Sequence, residues 1–172
     1  MKKLFFYFLL STSLIACKNN ESATAASTAM PEAVEKIYKP TYTDNFKMGN
    51  PENITIIEKL HQAIIAKDFA VMGDWLADDV VFQMDDGSTI EGKAVLLDFM
   101  EQNFSQITLE NYSVGVSMSV VGENGHEWVL MWDEADLVMP DGTSQKVEWM
   151  DAFRLENGKV LVMNGFVKSP KE

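Results

Sequence analysis

The chain has 172 residues, 47% of them hydrophobic, with 26 acidic against 14 basic side chains and a net charge of −12. That length suits one domain with extensions, and the acidity works against binding nucleic acid or anionic lipid surfaces. A single cysteine, Cys17, excludes an internal disulfide, and two histidines with no other thiol give no expectation of a transition-metal cage or a cofactor.

Lys2 and Lys3 precede an apolar run, Leu4 to Leu10, followed by smaller residues from Ser11 to Ala16. This charged, apolar, small order is that of an export signal, and the apolar part falls short of the about 20 residues that span a bilayer. Leu14-Ile15-Ala16-Cys17 resembles the lipobox of bacterial lipoproteins. The resemblance implies removal of residues 1–16 and attachment of lipid to Cys17, with the membrane as a partner. The competing reading is a secretory signal that happens to hold a cysteine. Lys18 is not the aspartate associated with inner-membrane retention, so the expected address is the bacterial cell envelope, at the outer membrane.

Lys18 to Met30 is Asn, Glu, Ser, Ala and Thr, a composition that cannot build a core and reads as a tether. Pro31 to Asn53 scatters Ile37, Tyr38, Tyr42, Phe46 and Met48 among polar residues and reads as a lead-in. Residues 17–50 are therefore expected to be lipidated cysteine, tether and lead-in, and residues 51–172 the folded domain.

Within that domain, Ile57, Leu60, Ile64 and Ile65 recur at helical spacing over Ile54 to Lys67, with His61 on or beside the stripe and Asn53 or Asn50 at the start. Asp68 caps a short second helix running to Leu76. Asp78-Asp79 is read as a turn, Val80 to Met84 as a strand, and Asp86-Gly87 as a tight turn. Gly92 precedes a third helix, Lys93 to Phe104. From Thr108 the pattern changes to strands over Ser113 to Val121, Glu127 to Met139, Lys146 to Leu155 and Lys159 to Val167. Asn124-Gly125, Asp141-Gly142 and Asn157-Gly158 separate them as hairpin turns. Helices followed by an antiparallel meander predict an α+β fold.

This order of parts resembles the nuclear transport factor 2-like superfamily, in its SnoaL-like and ketosteroid-isomerase-like branches. The stretches that carry it run from Ile57 to Gly92, including WLADDVVFQMDDGSTIEG, and from Asp151 to Val160, DAFRLENGKV. The resemblance implies a cone of three N-terminal helices on a curved, mostly antiparallel sheet around a pocket. Some members are isomerases, cyclases or dehydratases, and many only bind or associate. Asp151 matches the protonated acid of the isomerases and the strand acid of the cyclases. Met84 stands where the isomerase base would be and Leu60 where its tyrosine would be, while Asp85 is one position off. That departure argues against ketosteroid isomerase activity.

Two-residue turns at Asp141-Gly142 and Asn157-Gly158 would place Asp151 between Trp132 and Asn164. One face would then hold Trp149, Phe153, Glu134 and Phe166, and the other Met131, Asp133 and Met163. The first face is richer in large apolar groups, so it is expected to line the pocket. Desolvation there would raise the pKa of Asp151 and fit it for acid–base work, with His61 meeting it from the first helix. Each residue has a blander role: Asp151 as a solvated rim group, His61 as a helix-face histidine, the tryptophans as core, Glu134 in solvent. The expected function is binding of a small hydrophobic or amphipathic molecule by Trp132, Glu134, Trp149, Phe153, Asn164, Phe166, Leu60 and Met84. The alternatives are a pocket enzyme of isomerase, cyclase/lyase or hydrolase type using Asp151 and His61, or a homodimeric association domain. In the last case Val114, Val116, Met118, Val129, Met131 and Met163 would lie on the outer face.

Overall fold

The computed structural model describes residues 36–168. The export signal, Cys17 and the tether to Met30 lie outside the described residues. The chain divides into two compact units, Met1–Tyr38 and Lys39–Glu172, and the second contains every element below. In chain order these are β1 (Phe46–Met48), α1 (Glu52–Ile65), α2 (Phe69–Gly73), β2 (Leu76–Gln83), β3 (Thr89–Glu91), α3 (Lys93–Phe104), β4 (Thr108–Gly122), β5 (Glu127–Val138), β6 (Ser144–Glu156) and β7 (Lys159–Lys168). They form one seven-stranded sheet in the order β1-β4-β5-β6-β7-β2-β3. β2 runs parallel to β7 and every other neighbouring pair is antiparallel. Three helices on a curved, mostly antiparallel sheet is the α+β arrangement the sequence predicted. Among the described residues no helix is long and apolar enough to cross a membrane.

The helices α1 and α3 form where expected, for local reasons, whereas α2 stops at Gly73 and Leu76, expected at its end, opens β2. The Asn50 side chain accepts the Glu52 N–H at 3.0 Å and opens α1; Asp68 accepts the Val71 N–H at 3.1 Å and opens α2. Ile57 and Leu60 on α1, Met72 on α2 and Leu96 on α3 are fully buried and pack with Val129, Met131 and Phe153 of the sheet. Asp78-Asp79 is not a turn. Both residues lie inside β2, because burial of Leu76 and Val80 holds the chain extended on either side of them. The register with β7 shifts between Leu76 and Val81, and Asp78 pairs with Lys93 at the start of α3.

The hairpins decide which residues face the helices. At Asn157-Gly158 both residues have positive φ, 52° and 73°, as a two-residue turn of mirror-image hand requires, and Glu156 pairs with Lys159. At Asp141-Gly142 only Gly142 has positive φ, 83°. There the Met139 carbonyl accepts the Gly142 N–H at 2.9 Å and the Met139 N–H donates to Thr143 at 2.8 Å. The loop therefore has three residues, Pro140 to Gly142. Pro140 has no N–H to exchange with Thr143, so it cannot close a two-residue turn; it occupies the second position of an ordinary turn instead.

This extra loop residue overturns the expected facing of β5. Met131, not Trp132, lies opposite Asp151, and Trp132 lies opposite Met150. A second shift, between Arg154 and Leu155, puts Gly165 rather than Asn164 beside Asp151. Along β5 from Val129 to Ala135 the buried residues are Val129, Met131, Asp133 and Ala135, with Leu130, Trp132 and Glu134 less buried between them. A one-residue slip moves every side chain to the other face. Trp132, Glu134 and Phe166 thus sit on the convex side, while Val129, Met131 and Met163, expected outside, are core.

Candidate functional site

A cavity of about 220 Å³ opens between the concave side of the sheet and helices α1 and α3. Its walls are mostly apolar: Ile64 from α1, Met100 and Phe104 from α3, Phe82 from β2, Leu109 from β4, Leu137 from β5, and Trp149, Phe153, Met163 and Val167 from β6 and β7. The polar groups that reach it are His61, Asp85, Tyr112, Asp133, Asp151 and Asn164. Among the described residues that line it there is no lysine or arginine.

Register explains how two carboxylates meet here. Asp133 pairs with Trp149, and Asp151 is two residues farther along the same strand, so the acids are diagonal neighbours on one face. His61 arrives from α1, directly after the fully buried Leu60. Ligand-type atoms of His61, Asp133 and Asp151 all lie within 4.8 Å of one another, close enough to hold one cation between them. One imidazole and two carboxylates are also donors that a divalent ion accepts, although no metal was expected from two histidines and a lone cysteine.

The protonation chemistry follows from these contacts. His61 Nδ1 lies 3.0 Å from the Ile57 carbonyl, which only accepts, so Nδ1 carries the hydrogen and Nε2 presents a lone pair. Nε2 is 3.8 Å from Asp133 Oδ2. Burial pushes the imidazole below its ordinary pKa, against the smaller pull of Asp133. Tyr112 donates its hydroxyl to Asp133 Oδ2 at 2.7 Å and stacks beside His61 with ring centres 5.8 Å apart. Burial first, then that hydrogen bond and the charge of Asp133, hold the phenol well above its ordinary pKa, so it stays a donor. Asp133 is 2% exposed in its side chain, and its Oδ1 has no hydrogen-bond partner. Asp151 is pushed up to about 8, chiefly by burial and then by the charge of Asp133; the Phe166 backbone N–H works the other way. Its cross-strand neighbour Gly165 leaves space that a Cβ would fill, 3.3 Å from the Phe82 ring and 3.7 Å from Asp151 Oδ1.

Of the residues singled out from sequence, Asp151, His61, Trp149, Phe153 and Met84 line the cavity. Asn164 borders it too, but opposite Ala152, so it is not the cross-strand partner of Asp151. Leu60 is fully buried in the core, and its neighbour His61 takes the cavity position. Trp132, Glu134 and Phe166 are outside it; Glu134 pairs instead with Lys146 at 2.8 Å. Two members were missed. Asp133 was assigned to the wrong face, and Pro140 was the signal that would have corrected it. Tyr112 follows Asn111, whose φ of 52° marks a register irregularity between Glu110 and Ser113; an asparagine inside a strand is the residue that tolerates that conformation. Asp85 joins the cavity because β2 ends at Gln83 and strict alternation ends with it.

Residues 57–163 match the SnoaL-like domain family. No curated protein matches in sequence. Solved structures of similar fold include an LEH-like epoxide hydrolase from M. tuberculosis, 18% identical, covering 68% of this chain and 83% of that one with a TM-score of 0.57. A computationally designed 17-OHP binder is 18% identical over 66% of this chain and 91% of its own, TM-score 0.57. An epoxide hydrolase/cyclase-like enzyme of pyran ring formation in salinomycin is 18% identical over 68% and 91%, TM-score 0.57. At such identities the likeness is one of fold alone. The chain belongs to the SnoaL-like domain family, within the nuclear transport factor 2-like superfamily.

Proposed function

We propose that this domain binds a small, mostly apolar molecule and moves a proton on it, with Asp151 as the acid–base group. The observation that carries this reading is a carboxyl buried in an apolar wall, facing a second carboxylate and an imidazole lone pair within 4.8 Å. A carboxylic acid that keeps its proton at neutral pH can protonate or hydrogen-bond an oxygen gaining charge. Asp133 and His61 Nε2 are the acceptors beside it, and Tyr112 fixes Asp133. The cavity exceeds the about 150 Å³ that holds benzene, so a ligand of one or two rings fits. Epoxide hydrolase and cyclase-like neighbours make isomerase, cyclase/lyase or hydrolase chemistry the reaction classes to assay. Native mass spectrometry of the full-length chain should recover a co-purified small molecule. With that molecule as substrate, Asp151→Asn should lower turnover at least about 100-fold without loss of folding. Undiminished turnover in the variant would remove Asp151 from the chemistry, and a wild type that binds the molecule without turning it over would reduce the site to binding.

The lipobox reading extends to location: lipid on Cys17 would hold the domain at the bacterial envelope, at the outer membrane. Labelled palmitate incorporated by the wild type and not by Cys17→Ala, with fractionation of the envelope, tests it.

A second reading, homodimerisation, is supported by the convex face. Val116, Trp132, Met150 and Phe166 are direct neighbours across four strands, and Val116, Met150 and Phe166 are exposed. A continuous apolar row of this kind marks a contact surface. Sedimentation should show a dimer that Met150→Asp separates; a wild-type monomer at high concentration would rule it out.

A further inference from the structure

We infer that the ligand of this cavity is an apolar amine, bound as its ammonium ion between Asp133, Asp151 and His61 and surrounded by aromatic rings. The inference rests on the pocket reading above and specifies its ligand.

Four observations lead to it. First, Asp133 and His61 present acceptors that lack donors. Asp133 Oδ1 has no hydrogen-bond partner, and its other oxygen already takes the Tyr112 hydroxyl. His61 spends its N–H on Ile57 and turns a lone pair toward Asp133. An ammonium group supplies the missing donors, and a ligand with only acceptors does not. Second, the charged side chains of the lining are the carboxylates Asp85, Asp133 and Asp151, with no lysine or arginine among the described residues there. A carboxylate buried without a cation is costly, and a ligand cation removes that cost. An anionic ligand would meet repulsion from Asp133 and no cation to offset it. Third, Phe82, Phe104, Tyr112, Trp149 and Phe153 form the walls, and ring faces attract cations, more so out of water. Fourth, the net charge of −12 raises the local concentration of cations around the whole molecule.

The geometry also couples binding to a proton. Asp151 holds one in the empty cavity at neutral pH; an ammonium ion beside it favours the carboxylate, so the proton leaves as the amine enters. The loaded site then contains Asp151 as a base.

Calorimetric titration of the full-length chain in neutral detergent at pH 7 tests the assignment, with phenethylammonium against its neutral near-isosteres 2-phenylethanol and propylbenzene. The expected result is binding of the ammonium at least tenfold tighter than of either neutral probe, with proton release seen as a dependence on buffer ionisation enthalpy. Asp133→Asn and, separately, Asp151→Asn should lose that preference while still taking 2-phenylethanol. Equal or tighter binding of the neutral probes overturns the amine assignment and leaves the pocket reading standing. Failure of all three probes to bind at millimolar concentration removes both. Stoichiometric zinc retained by the purified chain also overturns it, because a metal would then occupy the carboxylates.

Discussion

Asp133 and Glu134 are adjacent in β5, carry the same charge, and live in different chemistry. Glu134 projects from the convex face, where Lys146 pairs with it at 2.8 Å and water surrounds both. Asp133 projects into the concave face with a side chain 2% exposed and one oxygen unpartnered. The same contrast runs through the whole sheet. The convex side pairs its charges and leaves apolar groups such as Phe166 open to solvent; the concave side buries its apolar groups and concentrates carboxylates. Charge in this molecule therefore differs by where it is placed relative to water, not by its amount.

The largest expected effect separates the two faces by stability. Phe153 is 2% exposed and touches His61 edge-on, whereas Phe166, on the neighbouring strand, is 58% exposed. Phe153→Ala should cost about 3–5 kcal/mol by urea denaturation. Phe166→Ala should stay within about 0.5 kcal/mol. Comparable losses would mean that the convex face is covered in solution, and a loss for Phe166→Ala that grows with protein concentration would identify the cover as a second copy.

Most of this contrast was legible in the sequence, and the part that was not has a physical reason. Helix spacing gave α1 and α3, and Asn157-Gly158 gave its hairpin, because those signals are local and act through a few residues. The meeting of Asp151 and His61 at one cavity also followed, from a strand acid among apolar residues and a histidine beside the α1 stripe. Which residues join them depended on register, and register depends on single residues between strands. The loop is one residue longer than a two-residue turn on Asp141-Gly142, so Met131 and not Trp132 lies opposite Asp151; the irregularity at Asn111 falls just before Tyr112. The apolar count favoured the wrong face because Trp132 and Phe166 are large side chains left outside.

A smaller effect concerns pH. The folded state holds the Asp151 proton up to about 8, whereas the unfolded chain releases it near 4. The folded state thus binds more protons across that interval, so this group lowers stability as pH rises through it. His61, pushed below its ordinary 6.5, acts oppositely: below 6.5 the unfolded chain takes up the proton first, and stability falls as pH falls. Above 6.5 only Asp151 remains of the two. Between pH 6.5 and 8 the wild type should lose about 2 kcal/mol relative to Asp151→Asn. Parallel denaturation curves across that interval would show that the carboxyl is in water and that the two faces are electrostatically alike.

The smallest effect tests what makes the faces different in the first place. Deleting Pro140 shortens the β5–β6 loop to Asp141-Gly142, the pair that fits a two-residue turn. Met139 and Thr143, already hydrogen-bonded at 2.8 Å, would then close it without moving. The strands should keep their register and the stability change should stay within about 1 kcal/mol. The raised titration of Asp151 should survive, which the carboxyl resonances of selectively labelled aspartate would report. Loss of that titration with folding retained would mean that β5 had slipped and presented Trp132 to the cavity. Asp133 would then have exchanged places with its neighbour, and the loop residue would set the facing of the strand against the preference of the core.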